Sequence, residues 1–174
     1  DRISRSSATN GNPLWRIAVG VVLISTCSPA IAANFADLKS DWSNTSNPNP
    51  GLFGTWSYTE NGNLLPQIAQ WAGDPNVPGW GPPGNTPGDF LPFFFKSPTN
   101  YGDAEPGDII VHSTDGANGA AHGPAIFIWT SSMNGTVTIS GSVWPTRLIS
   151  RLNEFQLTHI HTGGPTVLAS GAIL

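Results

Sequence analysis

Two histidines separated by one residue are the most suggestive chemical pair in the chain. His159 and His161 lie in the alternating segment NEFQLTHIHT and therefore share one face of a predicted strand. Two imidazoles at this spacing can bind one metal ion, and a third ligand would complete a catalytic zinc or copper site. Phe155 and Leu157 continue the same face, so the alternative is that the histidines end a core-facing row. Because short motifs often arise by chance, this alternative is favoured and no metal site is predicted.

Other groups that could catalyse a reaction are scattered. His112 lies on a predicted strand and His122 in a Gly/Ala loop, which favours structural hydrogen bonding for both. No G-x-S-x-G nucleophile motif occurs, and no two acidic residues are arranged as a glycosidase pair. The sequence therefore predicts no enzymatic activity. The alternative is a secreted hydrolase or metal-dependent enzyme that uses His159 and His161.

A loose acidic run is a second pattern that could bind an ion. It comprises Asp103, Glu105, Asp108 and Asp115, beside predicted strand ends. Loop carboxylates of this kind bind Ca²⁺ in extracellular β domains, although the spacing matches no EF-hand. A solvated acidic rim is the commoner outcome. No cofactor is predicted, and a structural calcium ion is kept as the alternative.

The segment at residues 72–92 combines aromatic and polar side chains with six Pro and five Gly. This composition predicts a long loop through which no regular element runs. An indole ring held on such a loop can stack on a sugar, with amides and carboxylates nearby to bind hydroxyls. The predicted ligand-binding residues are Trp71, Trp80, Asp74, Asn76, Asn85 and Asp89. The alternative is that Trp80 is buried beneath its own loop, since Trp is usually buried.

Alternation of apolar and polar residues defines the elements that must position these groups. FADL (35–38), GTWSYT (54–59) and PFFFKS (92–97) are short strand candidates, and 64–71 is ambiguous between strand and helix. Five more strands are predicted in succession: DIIVHS, PAIFIWTS, GTVTISGSVW, NEFQLTHIHT and PTVLASGAI. The pair Asn134-Gly135 predicts a tight hairpin between the second and third of these. The prediction is an all-β, antiparallel β-sandwich of jelly-roll type with a long Pro/Gly-rich loop.

The N-terminus has the layout of a secretory signal. Arg2, Arg5 and Arg16 precede or flank the short apolar run at 17–26, and Ala30-Ile31-Ala32 is a small-residue cleavage site. We expect residues 1–33 to be a signal peptide, with cleavage after Ala32 or one residue later. Residues 34–174 then form one β-sandwich domain, and the end directly after a strand indicates a truncated C-terminus. Cleavage would remove Cys27, the only cysteine.

The charge of residues 34–174 limits the partners. Four Lys and Arg stand against ten Asp and Glu, so the net charge is −6. Nucleic-acid binding demands clustered basic residues, and it is not predicted. Contact with a membrane is expected only through the signal or through a sorting segment absent from this sequence.

Two segments resemble secreted bacterial proteins of the PEP-CTERM type, which are sorted by exosortases. WSNTSNPNPGLFGTWSYTE (42–60) is similar to their NPNG-x-WSY opening. Residues 107–144 resemble a later segment at Val111-His112, Gly123-Pro124, Trp129-Thr130, Gly135, Val137, Ile139 and Gly141. The chain departs from the pattern in lacking a proline near Ser132, and no sorting signal follows Leu174.

The resemblance implies export and association with the cell surface or a polysaccharide matrix, without an assigned reaction. We therefore expect a secreted, non-catalytic β-sandwich that binds polysaccharide or matrix proteins. A structural spacer domain of a larger surface protein is the remaining alternative. The candidate final strand, PTVLASGAI, is the segment most suited to pairing with another chain at a sheet edge.

Overall fold

The architecture is given by a computed structural model that describes most of the chain beyond residue 35. The described residues are 16–17, 23–24, 36–68, 77–84, 91–114, 122–147 and 152–173. All regular elements among them are strands, and no helix occurs in these ranges. The all-β prediction is confirmed.

Thirteen strands are present in the described ranges. They are β1 (Arg16–Ile17), β2 (Leu23–Ile24), β3 (Asn49–Gly51), β4 (Gly54–Glu60), β5 (Asn63–Leu64), β6 (Gln67–Ile68), β7 (Gly79–Trp80), β8 (Phe93–Lys96), β9 (Ile109–His112), β10 (Ala125–Ser131), β11 (Val137–Thr138), β12 (Asn153–His161) and β13 (Gly164–Ile173).

These strands form four sheets. The first sheet has the order β10-β4-β3, with β5 also on β4, and the second has the order β6-β7-β8-β9. The third is β1-β12-β13, and the fourth pairs β11 with β2. All of these pairs are antiparallel except β1 with β12. This order does not establish a jelly roll, which stays a prediction.

The first and second sheets share one aromatic core. Strand β4 alternates so that Trp56 and Tyr58 are fully buried, while Thr55 and Ser57 are less buried. The Tyr58 ring lies 6.0 Å from Phe94 of the second sheet and 5.7 Å from Phe127 of β10. Large rings fill the space between two sheets, which pack about 10 Å apart. We call this group, with Trp80, Leu65 and Ala125 at its margins, the aromatic core.

The second sheet is buried on both faces. Phe94 belongs to the aromatic core, while Phe93 and Phe95 form a second cluster with Leu91 and Ile110. Three consecutive phenylalanines make sense in a strand that is covered on both sides, because successive side chains point to opposite faces. The predicted buried strand PFFFKS is confirmed as β8.

The Asn-Pro-rich opening segment holds β4 through one side chain. Asn47 accepts the Tyr58 N–H through Oδ1 at 3.0 Å and donates through Nδ2 to the Tyr58 carbonyl at 2.8 Å. A second donation from Nδ2 reaches the Leu65 carbonyl at 2.8 Å. The amide thus makes the hydrogen bonds to Tyr58 of β4 that the backbone of a neighbouring strand would otherwise make. Backbone polar groups buried in this way must be hydrogen-bonded, and here a side chain does it.

The tight Asn-Gly hairpin occurs at a different pair from the predicted one. Asn61 and Gly62 join β4 to β5 with φ of 49° and 83°, as a type I′ turn requires. Asn134 and Gly135 do not have positive φ, and β11 pairs with β2 instead of β10. The predicted hairpin between PAIFIWTS and GTVTISGSVW is therefore wrong. Only Val137–Thr138 of the predicted strand is in a ladder, although Val137 and Ile139 are still more buried than Thr138 and Ser140.

The Pro/Gly-rich segment also contains a strand that its composition did not predict. Gly79 and Trp80 form β7 between β6 and β8. A Cβ at Gly79 would lie 2.2 Å from the Phe94 carbonyl oxygen, so the glycine permits the close approach of β7 to β8. The expectation that no regular element runs through 72–92 is wrong for this reason.

The start of the domain differs from prediction in one further respect. Residues 38–40 form a turn, so the strand predicted at FADL is absent from 36–38. The turn is stabilised by the Asp37 carboxylate, which accepts the Lys39 N–H at 2.9 Å and the Ser40 hydroxyl at 3.0 Å. Ala36 and Leu38 are nevertheless buried in the aromatic core.

The two final strands make a long hairpin, as predicted. Thr162 and Gly163 connect β12 to β13, and pairing runs from His161↔Gly164 to Asn153↔Ile173. A bulge interrupts the ladder, because Leu157 pairs with Ala169 and Thr158 with Val167, which leaves Leu168 without a partner. We call residues 152–173 the C-terminal hairpin.

Candidate functional site

Trp80 is the only predicted ligand-binding residue within the described ranges, and it is a core residue. Its side chain is 3 % exposed, and its ring stacks on Tyr58 with centroids 5.8 Å apart and planes at 6°. The indole N–H donates to the Ser43 carbonyl at 2.8 Å. Trp80 therefore offers no ring face for a sugar, because it is buried in the aromatic core. Burial of Trp80, the alternative to sugar binding, is therefore what the structure shows.

The other predicted ligand-binding residues lie outside the described residues. They are Trp71, Asp74, Asn76, Asn85 and Asp89. Of the segment at residues 72–92, the structure describes residues 77–84 and 91–92. Val77 and Leu91, on either side of β7, are both buried in the second cluster with Phe93. Residues 77 and 91 are thus anchored in the core of the second sheet, with β7 between them in sequence.

A Glu–His pair lies at the end of β4. Glu60 Oε1 accepts the Gly123 N–H at 2.6 Å and lies 3.0 Å from His122 Nδ1, which donates to it. The two side chains are 16 % and 28 % exposed, respectively. Such a pair orients an imidazole, and Nδ1–H is held by the carboxylate. It also ties residues 122–123 to the β4–β5 turn, where the Asn61 side chain leaves no room for a Cβ at Gly123.

The His159–His161 pair lies at the tip of the C-terminal hairpin. The two ring centroids are 5.0 Å apart, and both residues are exposed. His161 Nδ1 accepts the Gly163 N–H at 3.1 Å, and Nε2 lies 3.2 Å from the Thr166 hydroxyl. Both nitrogens of His161 thus support the hairpin turn. Among the residues that the structure describes, no group of three or more His, Cys, Asp or Glu could hold a metal ion.

Asp108, the most buried residue of the acidic run, has a partner for each of its carboxylate oxygens. Asp108 is 6 % exposed; Oδ1 pairs with the Lys39 ammonium and Oδ2 accepts the Glu105 N–H at 2.9 Å. The Lys39 hydrogen bond and then the Glu105 backbone bond lower the pKa of Asp108 below its ordinary value. Asp103 and Glu105 are exposed, and Asp115 lies outside the described residues. The Asp108 carboxylate joins the turn at 37–41 to the second sheet.

A groove runs along one face of the C-terminal hairpin. It has a volume of about 560 Å³ and is lined by Val137 and Ile139 on one side and by Leu157, His159 and Leu168 on the other. Leu157 and His159 therefore do lie on one face, as the alternation predicted. The lining is mainly aliphatic, with one imidazole at the end nearest the hairpin tip.

Exposed apolar side chains are concentrated on the C-terminal hairpin. Ile160 is 74 % exposed, Val167 53 % and Leu168 51 %. Sequence reasoning assigned these residues to ordinary strands and missed their exposure. The available signal was the absence of Lys, Arg, Asp and Glu from residues 155–173, where a half-exposed hairpin normally carries several.

Comparison with protein-family models, with curated proteins and with solved structures finds no match for this chain. In the part of the chain that the structure describes, there is also no helix with the length and apolar character needed to cross a membrane. The candidate site thus rests on the geometry of the chain itself.

Proposed function

We propose that this chain is a non-catalytic, exported β-domain that binds partners in the extracellular matrix or at the cell surface. The observation that carries the proposal is the exposed apolar surface of the C-terminal hairpin, formed by Ile160 and Val167 on the face opposite the groove. Contiguous exposed apolar surface on a soluble domain marks a site of interaction. A protein partner fits it better than a charged polymer, because the hairpin carries one acidic residue, Glu154, and no Lys or Arg.

The disposition of the ionisable groups supports binding over catalysis. Glu60 is bonded to His122 and to a backbone N–H, Asp108 is paired with Lys39, and both nitrogens of His161 are engaged. The bonds of Glu60 and Asp108 join segments that are distant in sequence, and those of His161 support the hairpin turn. The groups therefore have a structural role that accounts for their positions without a reaction.

The protein-binding proposal is tested by cosedimentation with extracellular matrix isolated from a bacterial biofilm. Ile160→Ala removes an exposed apolar side chain whose burial is worth about 1.5–3 kcal/mol, so we expect at least a tenfold loss of affinity. Leu52→Ala is the matched control, because Leu52 is 83 % exposed but lies in the β3–β4 turn. Equal binding by both variants and the original protein would refute the proposal.

Polysaccharide is the second proposed partner, through the Pro/Gly-rich segment. Its support is the proximity in sequence of Trp71, Asp74, Asn76, Asn85 and Asp89 to the buried residues Val77 and Leu91. Trp71→Ala is expected to lower glycan-array binding about tenfold, by loss of one stacking contact. Trp144→Ala is the control, because Trp144 is 42 % exposed and lies outside this segment. Binding that is indifferent to Trp71, or absent from every glycan, would remove this partner.

Export itself is tested at the N-terminus. We expect the protein expressed in a bacterial host to reach the periplasm or medium with Ala33 or Asn34 as its first residue, as mass spectrometry would show. Retention of residues 1–33 on protein in the cytoplasm would contradict export. The PEP-CTERM-type resemblance remains part of this proposal.

A further inference from the structure

The outer edge of β13 has no neighbour among the residues that the structure describes. The third sheet has the order β1-β12-β13, so β13 is hydrogen-bonded on one side only. It is ten residues long, which at about 3.3 Å per residue is about 33 Å of strand edge. Half of its backbone N–H and C=O groups point away from β12, and such a row is a template for another strand.

The usual devices that protect an edge are nearly absent from β13. The strand contains no charged residue, and its one proline, Pro165, stands at the second position. The bulge at Leu168 is the single protective feature, and it divides the strand into two parts. Beyond it, residues 169–173 pair continuously with β12 and have the sequence ASGAI, whose first four side chains are small.

Charge identifies the occupant of this edge. The chain has a net charge of −4, so two copies repel each other except where they meet through an uncharged surface. The edge of β13 is such a surface, and an antiparallel pair of identical uncharged strands places no like charges opposite one another. A strongly acidic or strongly basic partner would find no opposite charge on this edge. The edge therefore suits a second copy of this chain.

We propose that two copies of the protein associate through antiparallel pairing of their β13 strands about a two-fold axis near Gly171. This pairing joins the β12–β13 hairpins of the two copies into one continuous sheet, which is recognition by strand addition. It places Ser170 of each copy opposite Ala172 of the other, and a two-fold contact of this kind closes at the dimer. The inference rests on the proposed function, which it deepens by naming the partner of the C-terminal hairpin.

The test is a charge exchange at the proposed axis, followed by sedimentation equilibrium. One variant carries Ser170→Lys with Ala172→Lys, and the other carries Ser170→Asp with Ala172→Asp. Both positions are exposed, and Ala172 pairs with Glu154, so a lysine there meets an opposite charge within its own hairpin. In a dimer each variant places like charges directly opposite one another across the new ladder.

We expect the original protein to shift from 18.3 kDa to twice that mass between about 1 and 100 μM. Each variant alone should dimerise at least tenfold more weakly, and a 1:1 mixture of the two should restore the dimer. The control is Leu52→Lys with Leu64→Lys, which adds the same charge at two exposed positions distant in sequence from β13 and should dimerise like the original.

Three results would overturn the proposal: a monomer throughout this range, a dimer that both charged variants preserve, or a mixture that stays monomeric. Far-UV circular dichroism confirms that each variant is folded. The same proteins are used in matrix cosedimentation, which separates the two ideas. Matrix binding by a strictly monomeric protein would refute the self-association alone, whereas a dimer without matrix binding would refute the proposed function alone.

Discussion

Strands β4 and β13 both belong to antiparallel pairs, yet they have opposite relations to the rest of the molecule. Trp56 and Tyr58 of β4 are fully buried, whereas Val167 and Leu168 of β13 are more than half exposed. Strand β4 has neighbours on both edges and a second sheet over one face. Strand β13 has one neighbouring strand among the described residues, and most of its side chains are small and exposed. Burial of a strand thus depends on the size of its side chains and on what lies opposite them.

The largest expected effect tests the buried half of this comparison. Tyr58→Ala removes a ring that contacts Trp42, Trp80, Phe94 and Phe127, and we expect a loss of about 3–5 kcal/mol in the free energy of unfolding. Urea denaturation followed by tryptophan fluorescence measures it.

Tyr58→Phe provides the control for that change. The Tyr58 hydroxyl is buried with no hydrogen bond of standard geometry; burial raises the pKa of Tyr58 far above its ordinary value, and the nearby Ser43 backbone partly opposes that rise. Removal of the hydroxyl should leave stability unchanged or slightly increased, because an unsatisfied polar group is lost. A loss above 2 kcal/mol would show that the hydroxyl has a partner.

The next effect concerns the side chain that substitutes for a strand beside β4. Asn47→Ala leaves the Tyr58 N–H and the carbonyls of Tyr58 and Leu65 without the amide, and we expect a loss of about 2–3 kcal/mol. Asn44→Ala is the matched control, because Asn44 is exposed and accepts one bond from Trp42, and it should cost less than about 1 kcal/mol. Equal losses in urea denaturation would contradict the special position of Asn47.

A smaller, pH-dependent effect is expected where the N-terminal turn meets the second sheet. The folded-state pKa of Asp108 is below its unfolded value of 3.8, so its contribution is complete above that pH and is lost as the pH falls below it. We expect Asp108→Asn to cost about 1 kcal/mol at pH 7 and less at pH 2.5. Asp103→Asn, at an exposed position, should follow the original protein at both pH values in urea titrations.

The smallest effect tests the exposed half of the comparison. Leu168→Ala removes a side chain from the bulge of β13, where it is half exposed, and we expect a change within about 0.5 kcal/mol. The measurement uses the protein at a concentration where it is monomeric. A loss near that of Tyr58→Ala would mean that the hairpin is covered as fully as β4.

The strands that could be predicted are those whose own sequence, by alternation or by a short apolar run, favours a strand. Alternation located β4, β9, β10, β12 and β13, and the apolar run PFFFKS located β8. The hairpin signal at Asn134-Gly135 misled because β10 pairs fully with β4, which is distant in sequence. Local sequence carries no information on such long-range competition. Strand β7 was missed because its glycine matters only once Phe94 is beside it.

The candidate site was less predictable than the fold. The ring of Trp80 was one of two candidates for a sugar platform on composition, and its burial follows from Tyr58, which is 22 residues earlier in the chain. The exposure of the C-terminal hairpin depends on how few of the described residues pack over it, which sequence alone does not reveal. The uncharged sequence of residues 155–173 was the one local indication of it.

The position of Asn47 has a consequence for the chemical lifetime of the protein. Asparagine side chains deamidate when the following backbone nitrogen attacks the amide, and the reaction is fastest before glycine. Asn47 precedes Pro48, whose nitrogen carries no hydrogen and cannot take part in that cyclisation. Asn61 and Asn134, each followed by glycine, lie in exposed turns where a new carboxylate is solvated. Spontaneous ageing should therefore alter the periphery of the domain and spare the amide that holds its core.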